Sequence, residues 1–392
     1  MRVVQTVFGV FHHFELARQL HGRGYLQKIY STWPWTRLKR EGVPREFVRT
    51  FPWVHTPEML LHRSGLSQPY LFDQIGYANA LSFDWWTSRQ VSRAPAPDAI
   101  VGLSGSSLRT GLELQARGSR FICDRGSSHQ RYQEALVSDE FRRWGVSRAV
   151  SDIRDTVREE SIYEIADAIT VPSNFAARSF AESGVAKEKI HVIPYGVRLE
   201  RFRQSARPPD DCFQVLFAGA VGLRKGVPYL LQAFAELKHP AKRLRVVGAL
   251  QPELSEVLGR LPREGVEFLG AVPQERLAEL MSTSHAMVLP SIEEGLALVQ
   301  GQALACGCPV IASTNTGGED LFSDGVEGFI VPIRDARAIA ERLQMLADDR
   351  PLQQRMSEAA LNRVQFLGGW NDYGDRWERL LLELTGAPPP TK

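Results

Sequence analysis

SIEEGLALVQGQALACGCPVIAS occupies residues 291–313, directly after the apolar run AMVLP. The pattern reads as a strand, a loop SIEEG, a helix over 296–306 that stops at Gly307, and a second strand PVIAS. The loop then lies at the carboxyl end of a strand. The first amides of the helix, those of Leu296, Ala297 and Leu298, point with its dipole into the space beyond the sheet, where they favour an anion, usually phosphate. Gly295 lets a ligand come close to the backbone. Glu294 offers acceptor oxygens to hydroxyls, and Gln302, eight residues on, both donates and accepts. The plainer alternative is that Glu293 and Glu294 simply sit well near a helix N-terminus.

Outward from this stretch, strand-like and helix-like runs alternate. VVQTVF precedes ELARQLHGRG, DAIVGL precedes SLRTGLELQARG, and DAITV precedes NFAARSFAESG. Such alternation predicts βαβ units and parallel sheets, an α/β fold. Residues 194–211 are polar, proline-bearing and arginine-rich, and read as a linker. The same grammar restarts after it with QVLFAGA. We therefore expect an N-terminal Rossmann-like domain over 1–198 and a second over 199–369, with a helix near 370–386 crossing back to the first. Two facing sheets of this kind place a ligand in the cleft between them.

Bulk properties narrow the class. The 392 residues exceed a single core, and 43% hydrophobic with 23% charged residues is ordinary for a globular chain. A net charge of +2 gives no reason to expect nucleic acid as a partner. Four scattered cysteines make neither a disulfide framework nor a zinc site and suit a reducing, cytoplasmic setting. MRVVQTVFGVFHHFE reads as a first strand rather than a signal peptide, and no run reaches about eighteen apolar residues. Residues 31–95 are rich in Trp, Arg and Pro. Trp33, Trp35, Arg37, Lys39 and Arg40 either form a basic aromatic surface for anionic lipid headgroups, at the inner face of a membrane, or belong to a packed irregular insertion.

Other segments also carry chemistry. In VLFAGAVGLRKGVPYLLQAF a strand leads through Gly219, Gly222 and Gly226 into a helix, with Arg224 and Lys225 at the turn. A guanidinium fork and a compact ammonium together suit a diphosphate, although such a pair on a surface loop is often just solvated. Gly317 and Gly318 in STNTGGEDLFSDG either close over phosphate or sugar, or make a tight turn with an acidic start. In the first half, SRFICDRGSSHQRYQEAL ends a strand at Asp124-Arg125-Gly126, with His129 opening a helix either as a reactive group or as a cap. Gly9, His12 and His13 in FGVFHHFELA lie after the first strand and can reach the cleft.

Taken together, EEGLALVQGQALACGCPVIAS, GLRKGVPYLLQAF, TGGEDLFSDGVEGFIVP, VPSNFAARSF and IHVIPYGVRLERF resemble the retaining GT-B glycosyltransferases of the "glycosyl transferases group 1" family, family four. The likeness is close over 165–335 and general before that. It implies a nucleotide-diphosphate-sugar donor on the C-terminal domain and a saccharide or lipid-linked acceptor on the N-terminal one, with no cofactor. In the family's E-x7-E motif the first Glu meets donor-sugar hydroxyls and matches Glu294. The second meets the ribose, and here that position holds the neutral Gln302. The family's diphosphate-binding pair matches Arg224 and Lys225, and its first-loop glycine matches Gly9. The histidine that relatives carry near the donor sugar falls at Arg125 by spacing, or at His129. IPYGVR also departs from the family's pattern, at Tyr195 and Arg198.

No Asp-x-Asp occurs anywhere in the chain, so fixed cations and amides, rather than a divalent ion, are expected to hold the diphosphate. Two rivals share this fold and donor site: a sugar-nucleotide epimerase, and a non-catalytic nucleotide-sugar-binding subunit, to which Gln302 lends some weight.

Overall fold

The structure, a computed structural model, describes residues 1–63, 69–148, 152–197 and 199–388, so Arg198 lies outside the described residues. Two parallel sheets form. The first holds β1 (Val3–Val7), β2 (Leu26–Ser31), β3 (Val48–Thr50), β4 (Ala99–Leu103), β5 (Arg120–Asp124), β6 (Ala168–Val171) and β7 (Ile190–Val192), in the order β3-β2-β1-β4-β5-β6-β7. The second holds β8 (Phe213–Ala218), β9 (Lys242–Val247), β10 (Val266–Gly270), β11 (Ala286–Leu289), β12 (Val310–Ser313) and β13 (Gly328–Val331), in the order β10-β9-β8-β11-β12-β13.

Central strands such as β1 and β8 are buried along their whole length, because helices cover both faces of each sheet. That explains their unbroken apolar sequence. In both sheets the strand order reverses beside the first strand, between β1 and β4 and between β8 and β11. Loops leaving the carboxyl ends of those strands line the crevice where such folds bind ligands.

The helix predicted over 296–306 is shorter, Val299–Ala305. Its expected first turn is spent elsewhere: Glu294 N donates to Asn315 O at 2.9 Å and Ala297 N to Thr316 O at 3.1 Å. Pairing with the loop after β12 removes those amides from the helix end.

The final helix, Trp370–Thr385, packs into the N-terminal core. Tyr373, Trp377, Leu380 and Leu381 join Val3, Phe14, Leu16 and Ile29 in one buried cluster. Tyr25 donates to Glu378 at 2.7 Å, and Arg23 pairs with the same carboxylate at 3.2 Å. The chain thus crosses between domains twice. The crossings touch at Gly196, where a Cβ would lie 2.5 Å from the Trp370 nitrogen, and Val197 N donates to Gly368 O at 3.2 Å. Trp377 is fully buried, so Trp377→Ala should cost about 3–5 kcal/mol of N-terminal domain stability. Calorimetric unfolding checks this, and a shift confined to the C-terminal domain would refute the assignment.

Candidate functional site

The site forms where the loops after β8, β11 and β12 meet those after β5 and β6. Gly226 takes φ of 66° and packs on Pro290, whose carbonyl oxygen a Cβ there would overlap. This contact presses the Arg224–Lys225 turn against the acidic loop. Ile292 N donates to Arg224 O at 2.8 Å, and Arg224 Nη1 donates to Glu293 O at 2.7 Å. The same guanidinium stands 3.5 Å from Glu293 Oε2 and 3.7 Å from Glu294 Oε1, and Lys225 Nζ donates to Glu294 Oε1. Arg224, Lys225 and Glu294, expected apart from one another in sequence, are therefore neighbours. Burial, and after it Arg224, pull the Lys225 ammonium down to about 7, with Glu293 acting against them. An anion placed here would restore its charge.

Glu293 has a role that the sequence reading left to chance. Its carboxylate is wholly buried, and besides Arg224 of its own domain its hydrogen-bond donors come from the other domain. Ser127 Oγ donates at 2.6 Å, Ser128 Oγ at 2.8 Å and Gln133 Nε2 at 2.7 Å. Burial pushes this carboxyl up, but Ser127, Arg224, Ser128 and Gln133 outweigh it and hold it below its usual value. The polar cluster SSHQRYQ after β5 was the available signal.

Several of the glycines singled out in the sequence make close protein contacts in this structure. At Gly295 a Cβ would overlap the carbonyl oxygen of Gly126, so the two domains meet backbone to backbone. Ser173 Oγ donates to Gly295 O at 2.5 Å. Gly317 packs on Leu296 and Ser173, and Gly318 on Gln300 and Phe322. The turn they open docks on the other domain, where Asp320 accepts from the Asn174 backbone at 2.9 Å and from its side chain at 2.6 Å. Gly222 rests on Gln251 and Glu253. Gly9 N donates to Thr32 Oγ1 at 3.0 Å, and Gly9 O accepts from Ser31 Oγ at 2.7 Å.

Neither histidine-position candidate is free beside the cations. His129 caps the helix Gln130–Arg143 with no side-chain bond, and its ring packs on Tyr163 at 5.0 Å and Phe180 at 5.1 Å. It lines a cavity of about 340 Å³ with Glu160, Tyr163 and Lys189, all of the N-terminal domain, and burial pulls its imidazole down to about 4. Arg125 is buried against Glu159 at 2.9 Å and donates to Gln130 and Gln133. Packing behind β5 claims both side chains. The group at the end of β5 is instead Asp124, which accepts from His12 Nε2 at 2.8 Å, with His13 Nε2 at 3.4 Å. Among the described residues, His12, His13 and Asp124 form the one trio with metal-ligand chemistry whose atoms lie within 4.8 Å of each other.

Gln302 and Leu298 line a separate part of the cleft, a cavity of about 680 Å³ by the chain crossings, with Glu200, Arg201, Gln274 and Trp370. Residues 294–298 connect its wall at Leu298 to the cation cluster along the chain. The arrangement can hold an elongated anion, with its charged end at Arg224 and Lys225 and a hydrogen-bonding end at Gln302.

Comparison with known proteins agrees with this geometry. The profile described as "Glycosyl transferases group 1" matches residues 199–363, and "Glycosyl transferase 4-like domain" matches 12–196. The chain is 31% identical over 215 residues to D-inositol 3-phosphate glycosyltransferase 1 of Catenulispora acidiphila, covering 49% of this chain and 51% of that one. It is 30% identical over 156 residues to alpha-D-kanosaminyltransferase of Streptomyces kanamyceticus, covering 38% and 40%. The match thus spans about half the length of the curated relatives or less. Sucrose-phosphate synthase of Thermosynechococcus elongatus superposes with a TM-score of 0.73 at 20% identity, over 99% of this chain and 100% of that one. HepE of Anabaena in complex with UDP-glucose superposes at 0.68 and 17%, over 98% and 100%. These structures share the GT-B fold.

Glu293→Ala should release the seam, since stripping a partner from a buried ionic cluster costs on the order of 3–5 kcal/mol. Small-angle scattering should then show a larger radius of gyration. An unchanged radius would mean that other contacts hold the domains.

Proposed function

Since the chain belongs to the glycosyl transferases group 1 family, we propose that it transfers a sugar from a nucleotide-diphosphate sugar to a saccharide or lipid-linked acceptor. The observation that carries this reading is the cluster of Arg224, Lys225 and Glu294 at the carboxyl ends of β8 and β11. In it the diphosphate takes the two cations, displacing Glu294, whose carboxylate turns to donor-sugar hydroxyls. Gln302 bonds the ribose, and the cavity beside it takes the nucleoside. As the bond to the leaving phosphate lengthens, Arg224 and Lys225 stabilise the growing negative charge. The acceptor hydroxyl attacks from the face that the phosphate leaves, its proton passes to a phosphate oxygen, and configuration is retained. With two fixed cations and no Asp-x-Asp, no divalent ion is required. Closure about the paired chain crossings, clasped by Glu293, gates the step. UDP-sugars are the first donors to try, because HepE was solved with UDP-glucose.

Lys225→Ala should lose on the order of 1.5–3 kcal/mol of transition-state stabilisation, about 10- to 100-fold in kcat/KM. Wild-type turnover should survive EDTA. Turnover intact in the variant, or abolished by EDTA, contradicts the assignment. Product formed from the donor without any acceptor would favour the epimerase instead.

We also propose that the acceptor is reached at a membrane surface. Arg37 lies over the Trp33 ring at 4.6 Å and Arg45 over Trp35 at 5.1 Å, with Lys39 and Arg40 exposed alongside. Among the described residues no helix is long and apolar enough to cross a membrane, so contact through this face is peripheral. The chain should co-sediment with phosphatidylglycerol vesicles at low salt. Arg37→Glu with Lys39→Glu and Arg40→Glu should remain in the supernatant, and equal sedimentation would exclude the face.

A further inference from the structure

The turn after β1 holds groups that donor binding leaves unused. Phe11 is 66% exposed and has φ of 37°, a conformation that bulky residues rarely adopt. A Cβ on Gly9 would stand 3.5 Å from the Phe11 ring and 3.3 Å from Trp33 Nε1, so an open aromatic face and an indole donor share one small patch. Solvent-facing aromatics of this kind give an apolar surface with a polar margin.

Beside Phe11, His12 is held on every side but one. Its ring stacks on Tyr195 at 4.4 Å and on His13 at 4.6 Å. Its Nε2 meets Asp124 Oδ2, while Asp124 Oδ1 accepts from Thr170 Oγ1 at 2.9 Å. Burial pushes the Asp124 carboxyl up, but His12, His13 and Thr170 together bring it below its usual value. An ionised carboxylate only accepts, so the neutral form of the His12 ring carries its proton on Nε2 and keeps a lone pair on Nδ1. The Nδ1 edge of the ring faces Gly126 and the Tyr195 hydroxyl: a Cβ on Gly126 would lie 2.8 Å from Tyr195 Oη, 3.4 Å from Cε1 and 3.9 Å from Nδ1. Gly126 is the residue that abuts Gly295, next to Glu294. The free imidazole nitrogen thus lies at the seam, one residue contact from the carboxylate assigned to the donor sugar.

We propose that this turn seats the acceptor sugar, Phe11 lying under its apolar face and His12 Nδ1 accepting a hydrogen bond from its nucleophilic hydroxyl. The inference rests on the transferase reading and adds the acceptor's seat to it. The hydroxyl has one proton, which rests on His12 Nδ1 in the ground-state complex and turns to a leaving-phosphate oxygen as the new bond forms, so His12 orients the nucleophile without taking its proton and Asp124 positions His12 by fixing its tautomer.

Histidine-selective 15N labelling tests this, with His12→Gln assigning the resonance. Octyl glucoside, galactoside and mannoside serve as probes at about 50 mM and about pH 8. The proton should sit on Nε2 in the wild type and move to Nδ1 in Asp124→Asn. At least one glycoside should shift the Nδ1 resonance, and Phe11→Ala should abolish that shift while leaving the UDP-dependent rise in melting temperature unchanged. In transfer assays, Phe11→Ala and Asp124→Asn should each raise acceptor KM about tenfold or more. A wild-type proton on Nδ1, or no shift with any of the three glycosides while UDP still binds, overturns the seat. Failure of UDP, GDP and ADP alike to raise the melting temperature overturns the transferase reading instead, and the same samples report it separately.

Discussion

Two buried carboxylates tie the domains together: Glu140 of the first takes Arg334 of the second at 2.6 Å, and Glu293 makes the reverse contact. Glu293 belongs to the C-terminal domain, yet Ser127, Ser128 and Gln133 of the N-terminal domain solvate it. An ionised group without water must find its donors in protein, and leaving it bare costs several kcal/mol. The domains therefore have one preferred apposition, in which those donors converge. Gly295 against Gly126, Ser173 on Gly295 and Asn174 on Asp320 all follow from the same approach.

That apposition also decides the electrostatics of the site. Arg224 and Lys225 would be solvated on a free loop, but packing of Gly226 on Pro290 turns them toward Glu293 and Glu294. Two cations and two carboxylates then neutralise one another in a largely buried cluster that Arg224 leaves open to solvent on one side. Lys225, brought down to about 7, is the member most easily repolarised by an incoming anion. A diphosphate has more charge to offer this pair than one carboxylate does. In the proposed reaction, exchange of Glu294 for phosphate would link donor arrival to a new position of the acid.

Much of this was legible in residues 291–313 and 215–234. Alternating apolar runs and helical periods announced two parallel sheets, and Arg224, Lys225 and Glu294 were picked out by their place at strand ends. His129 takes the cap role, one of the two that its sequence left open, and the choice was not local. It sits one residue beyond the Ser127–Ser128 pair that faces the seam, but helical geometry at Gln130–Arg143 turns its ring onto Tyr163 and Phe180. The glycines pose the same ambiguity. A missing side chain signals a close approach, but not whether ligand or protein makes it.

From the chain alone came the fold class, the two-domain plan and the placing of a positive turn and an acidic loop at strand ends, because periodicity and strand-end placement are local properties. Only the tertiary structure decided which carboxylates clasp the domains, which glycines are filled by backbone, and that Asp124 aligns His12 across 112 positions. Those outcomes depend on burial and on partners distant in sequence, and the cost of an unsatisfied charge is set by its surroundings rather than by its neighbours in the chain.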